Sequence, residues 1–140
     1  MINNFEKYDN YKILYAKLNK ALKNDFYLEA IFIEYAIMED RLKSILVTAK
    51  KEKASQLSLA RKLTSIKHYM SLKSSVLDRY LKFETVDNIK MWSLKRNQLI
   101  HALASHRYHD EIIKDLANEG NQLTRDVSKA SRYFKNSMSN

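Results

Sequence analysis

Phe5, Tyr8, Tyr15, Leu18 and Leu22 recur at steps that place them on one helix face, which predicts a first helix from Asn4 to about Leu22. Asn24-Asp25 then reads as the N-terminal cap of a longer helix, about 25 to 50. Its apolar arc is wide. Tyr27, Ile31, Met38, Leu42 and Ile45 form one stripe, with Phe26, Ala30, Ile33 and Ile37 beside it, the pattern of a helix placed centrally in a bundle. Lys50-Lys51-Glu52-Lys53 ends that pattern. A third helix, about 56 to 71, carries Leu59, Leu63, Ile66 and Met70. Ser74 or Ser75 caps a short helix with Val76, Leu77, Tyr80 and Leu81, and Thr85 opens another over about 86 to 104. Ser105-His106-Arg107-Tyr108 reads as a connection. Asp110 and Glu111 suit the first turn of a last helix, where carboxylates meet the positive end of the helix dipole. Along it Ile113, Leu116, Gly120, Leu123, Val127, Ala130 and Phe134 are spaced as a heptad seam. That seam suits either a core helix or a dimer contact, with Gly120 and Ala130 admitting a close neighbour.

Composition narrows this to one fold class. There is no Pro and only one Gly in 140 residues, whereas sheets and phosphate loops depend on Gly- and Pro-rich turns. The expectation is a single all-α domain over 1–140, a helical bundle of four to five main helices. The absence of Cys removes disulfides, thiolate chemistry and Cys-based zinc sites. No apolar run of about 18 residues is present to span a membrane. The start, Met-Ile-Asn-Asn-Phe-Glu, lacks a basic, then apolar, export pattern, so the expected location is the cytoplasm.

Charge adds a partner class. Twenty-five basic residues against sixteen acidic ones give a formal charge of +9, which suits a polyanion, nucleic acid being the commonest. The plainer alternative is a Lys-rich surface serving solubility alone.

Chemistry concentrates in one segment. No pair of His, or of Glu and His, has metal-ligand spacing on one helix face, and nothing resembles a nucleophile elbow, so no metal or cofactor is expected. From Trp92 to Leu103, Ile89, Trp92, Leu99, Ile100 and Leu103 form an apolar arc with Arg96 inside it. A guanidinium there requires an anionic or multiply hydrogen-bonded partner. Asn97 and His101 are helix-surface neighbours, so Asn97 can hold the imidazole, whereas Arg96 and His101 stand about 140° apart around the axis. RNA cleavage by the 2′-OH uses such a set: a neutral His to take the proton and an Arg to meet charge building on the phosphorane oxygens. Glu34, on the otherwise apolar stripe of the second helix, is a candidate to support Arg96 or His101 across the bundle, or simply a salt-bridge partner. Lys90, Lys95 and Arg107 are candidate phosphate contacts, and Tyr108 a candidate base-stacking ring. Core packing is the expectation for Tyr8, Tyr15, Tyr35 and Trp92.

At Arg96, four residues, then His101, with polar Asn97 directly after the Arg, the chain resembles the HEPN family of small helical bundles. The resemblance implies a metal-independent endoribonuclease, in a toxin or antiviral (anti-phage) defence setting, whose active site forms where two copies of the motif face one cleft of a homodimer. It makes Arg96 the phosphate binder, His101 the proton-transfer residue and Asn97 the supporting polar group, with RNA as substrate and an antitoxin or regulatory protein as a further partner. Arg61 and His68 also satisfy the spacing, but Lys62 stands where Asn97 stands in the other match. Leu103 occupies the position at which HepT-type toxins of the family carry Tyr. Two other readings remain open: a non-catalytic RNA- or nucleotide-binding module of the same fold, and a purely helical interaction or assembly protein.

Overall fold

In a computed structural model, which describes residues 4–50, 56–105 and 109–139, the chain is all-helical, with no strand among the described residues. Five α-helices follow in order: α1 (Asn4–Lys23), α2 (Tyr27–Thr48), α3 (Leu59–Met70), α4 (Phe83–Ser105) and α5 (Asp110–Ser137), with a 3-10 turn at Leu77–Arg79 before α4. The bundle of four to five helices expected from the pattern is thus the fold, and no helix is long and apolar enough to cross a membrane.

Helix ends show how a chain with one glycine turns corners. Asp25 adopts φ 61° and Lys50 φ 59°, the left-handed conformation usually given to Gly. Phe26 N–H bonds Ala21 O at 2.8 Å and Asp25 N–H bonds Leu22 O at 3.4 Å, closing α1 in a Schellman motif. Asp25 therefore terminates α1 and does not cap α2. The N-cap of α2 is Phe26, which makes no side-chain capping bond. Ser58 caps α3 by accepting from Arg61 N–H at 3.3 Å, and Ser75 Oγ accepts from Leu77 N–H at 3.2 Å at the 3-10 turn. The segment expected as a short helix amounts to that one turn.

Packing centres on α2 and α5, which run parallel. The start of α2 lies beside Asp110 and Ile113, and Arg41 and Ser44 near its end lie beside Ser131 and Lys135. All seven seam residues of α5, Ile113 through Phe134, are buried within this one chain. The seam is therefore interior and offers no surface for a dimer. Trp92 is fully buried and donates Nε1–H to Leu116 O at 2.8 Å, fixing α4 on α5. Fully burying aliphatic side chains such as Leu18, Ile37, Leu42 and Ile66 stabilises the fold by ~1.5–3 kcal/mol each.

The first helix is rotated from the face its aromatics suggest. Phe5 is 80% and Tyr8 67% exposed, while Tyr11, Leu18 and Ala21 form the buried face. Tyr11 can be buried because its hydroxyl donates to Asp40 on α2. Tyr15, half-buried, shares a hydrogen bond with Ser128 of α5. Phe26, expected beside the α2 stripe, is exposed.

Candidate functional site

The α4 helix divides the candidate residues between two of its faces. Lys90, Asn97 and His101 lie, with Leu94, on one exposed stripe at steps of four, three and four. Arg96 turns aside toward α2. Its guanidinium carbon sits 3.8 Å from the centroid of the Tyr35 ring, and its Nη1 donates to Asn97 Oδ1 at 3.1 Å. The partner of this half-buried cation is thus a ring and an amide, in place of the anion expected from its position in an apolar arc. Stacking stabilises a guanidinium through the ring's negative face and leaves its in-plane N–H donors free to point outward. Among the described residues Arg96 has no carboxylate within ion-pair distance.

Tyr35 is the residue the sequence did not offer for this site. It is half-buried, and its hydroxyl pKa is raised, first by burial and then by the charge of Glu39, with Arg96 opposing. Its spacing on α2 marks it only as a partly apolar position. Its role as a platform for Arg96 depends on a contact across 61 positions of chain.

Glu34, adjacent to Tyr35 in sequence, faces elsewhere. It is fully buried, and neither carboxylate oxygen has a hydrogen-bond partner among the described residues. A β-carbon built on Gly120 would collide with its Oε1 and stand 2.7 Å from Trp92 Cζ2, so Glu34 occupies the junction of α2, α4 and α5. It hydrogen-bonds neither Arg96 nor His101 and forms no salt bridge among the described residues. Burial pushes its carboxyl up to about 9, against the opposing pull of Arg125, so it holds its proton at neutral pH.

The remaining candidates are scattered. Lys95 lies on the α5 side of α4, paired with Glu119 at 3.3 Å, in a groove whose lining includes Gln98, Ala102, Ile112 and Asp115. With two carboxylates to one Lys, that groove is not a basic cleft. Arg107 and Tyr108, with His106, lie outside the described residues. Arg61 and His68, the second spacing match, are both exposed on α3. Among the described residues no three His, Asp or Glu side chains converge as a metal site.

Exposed apolar side chains border the Arg96–Tyr35 stack. Phe32, 72% exposed, lies one turn before Tyr35, and Ile100, 47% exposed, one turn after Arg96. Because α4 runs antiparallel to α2, these two flank the stack on the same side, with Leu28 one further turn along α2.

The chain matches no known protein family, curated protein or solved structure. Its chemistry therefore rests on this geometry.

Proposed function

We propose that the chain is a metal-independent endoribonuclease of the HEPN type, active as a homodimer and serving as a toxin or an antiviral defence effector in the cytoplasm. The observation that carries this reading is Arg96, held on Tyr35 and tied to Asn97 with no carboxylate within ion-pair distance among the described residues, on the same helix as an exposed His101. A cation kept in one orientation and left uncompensated suits an incoming phosphate.

The reaction follows from these groups. His101 accepts the ribose 2′-OH proton as O2′ forms a bond to phosphorus. The P–O5′ bond breaks, and the leaving oxygen takes a proton from the protonated imidazole of the second copy. The products are a 2′,3′-cyclic phosphate and a 5′-OH. Arg96 meets the two non-bridging oxygens with parallel N–H donors.

One chain turns Arg96 toward α2 and leaves His101 on the exposed face of α4, about 140° apart around the axis. A second copy seated on Phe32, Ile100 and Leu28 would close the face into a cleft and bring in its own Arg96 and His101. The exposed apolar border of the stack suits such a contact. The purely assembly-based reading loses its main support, because the heptad seam is consumed within the chain.

Incubation of purified protein with mixed RNA, with and without EDTA, tests the reading. Cleavage indifferent to EDTA, with cyclic-phosphate ends, is expected. Light scattering across a dilution series should show activity rising with the dimer fraction. Full activity in a strict monomer, or loss of cleavage in EDTA, overturns it. Binding without cleavage would return the chain to the non-catalytic RNA-binding alternative.

A further inference from the structure

Arg41, about 120° around α2 from Tyr35, repeats the arrangement of Arg96. Its guanidinium carbon lies 3.7 Å from the centroid of the Tyr11 ring. Beside it a cleft of about 280 Å³ opens between the start of α1, the end of α2 and the end of α5. Four cations line the cleft, Lys7, Arg41, Arg132 and Lys135, and among the described residues no carboxylate does. Asp40, the acid next to Arg41, is already engaged: it accepts from Tyr11 and pairs with Lys7 Nζ at 3.4 Å. Among the described residues Arg41, Arg132 and Lys135 have no ion-pair partner. The Nε of Arg41 is shielded from solvent and has no hydrogen-bond partner among the described residues.

We propose that this cleft is a binding site for a phosphate monoester, the terminal phosphate of a nucleotide or of an RNA 5′ end. Three unpaired cations match a dianion better than the single charge of a carboxylate or an internal phosphodiester. Ser44, Ser131 and Asn136 add polar groups to the lining, suited to a tetrahedral anion with several acceptor oxygens. The volume lies just under the ~300–1,000 Å³ of sites that enclose a whole small molecule, which suits a phosphoryl head with its carrier extending outward past exposed Tyr8. The carbonyl end of a helix does attract cations, and Lys135 in the last turn of α5 has that use. Arg41 does not, since it sits about two turns before the end of α2 at Thr48, and that field fades within one turn. The site involves no residue of α4, so it stands apart from the ribonuclease reading.

Calorimetric titration of the full chain tests it with four probes: AMP, adenosine, and one short RNA with either a 5′-phosphate or a 5′-OH. AMP should bind saturably and adenosine at least tenfold more weakly if the source is a free nucleotide. The 5′-phosphate should add at least tenfold to RNA affinity if the source is an RNA end. Arg132→Gln with Lys135→Gln, both exposed and outside the core, should remove the phosphate-dependent gain, as should Arg41→Gln, while Arg96→Gln should leave it intact. The proposal is overturned if neither phosphate adds affinity. It is equally overturned if the gain survives the Arg132/Lys135 double variant, or if Arg96→Gln alone removes it.

Discussion

Oε1 of Glu34 occupies the space that a β-carbon on Gly120 would need. Trp92 closes the same space from α4, with Cζ2 2.7 Å and Cε2 2.8 Å from that position. The one glycine in the chain thus sits mid-helix, where it sacrifices helix propensity, because three helices meet at its bare backbone. Gly120→Ala should destabilise the fold by ~1–3 kcal/mol through overpacking, against the ~1 kcal/mol that Ala would gain in an open helix. Urea unfolding of the variant checks the sign.

Glu34 makes stability depend on pH in a direction opposite to that of a salt-bridged carboxylate. Its folded pKa of about 9 stands above the ordinary 4.5, chiefly through burial. Between those values the folded chain keeps a proton that the unfolded chain has released, so stability falls as pH rises. The contribution is complete below pH 4.5 and lost as pH climbs through about 9. Glu34→Gln, neutral at every pH, should flatten this dependence. Unfolding midpoints at acidic and mildly alkaline pH, compared between the two proteins, measure it; equal slopes would contradict an uncompensated carboxyl.

On the ribonuclease reading, His101→Ala should reduce RNA cleavage by ~10²–10⁴-fold, since it removes the proton acceptor for the 2′-OH. Arg96→Ala should lose a comparable factor, and Arg96→Lys most of it, because an ammonium lacks the planar fork. Arg61→Ala and His68→Ala should cleave as the parent does. Single-turnover rates on one RNA separate the two spacing matches, and an essential Arg61/His68 pair would refute the assignment.

Tyr35 acts on the reaction through Arg96. Tyr35→Phe keeps the ring and should retain cleavage, whereas Tyr35→Leu should lower it by on the order of tenfold, the equivalent of a stacking energy of about 1–2 kcal/mol. The loss should appear in kcat as well as in RNA affinity, and Tyr35→Phe should restore both. Equal damage from both variants would instead assign the hydroxyl a direct role.

The fold was legible wherever helical period alone decides burial. The α5 seam has one side, and every residue on it is buried. The same reasoning failed on α1, because period cannot say which of two aromatic-bearing faces turns inward. Tyr11 goes in because Asp40, 29 positions away, receives its hydroxyl, and Phe5 and Tyr8 stay out. Asp25 was misplaced for a related reason. In a chain almost without glycine, an Asp between helices can close the first as readily as open the second, and only its φ distinguishes them. At the candidate site the Arg96–Asn97 contact is local and follows from adjacency in sequence. The ring beneath Arg96 and the isolation of Glu34 arise from long-range packing that no local pattern encodes.

The parallel pairing of α2 with α5 also sets the order in which this molecule can be made. Tyr15 finds Ser128 across 113 positions of chain, and Glu34 meets Gly120 only after α3 and α4 have carried the backbone back along the bundle. Contacts so distant in sequence slow the folding of a helical protein, whose rate normally benefits from local contacts. During synthesis the side of α2 that α5 covers must wait, exposed, until α5 has left the ribosome, although α1 and α3 can already pack on its other sides. A ribosome stalled before Gly120 would hold a bundle lacking its α2–α5 centre, exposed to chaperones and proteases.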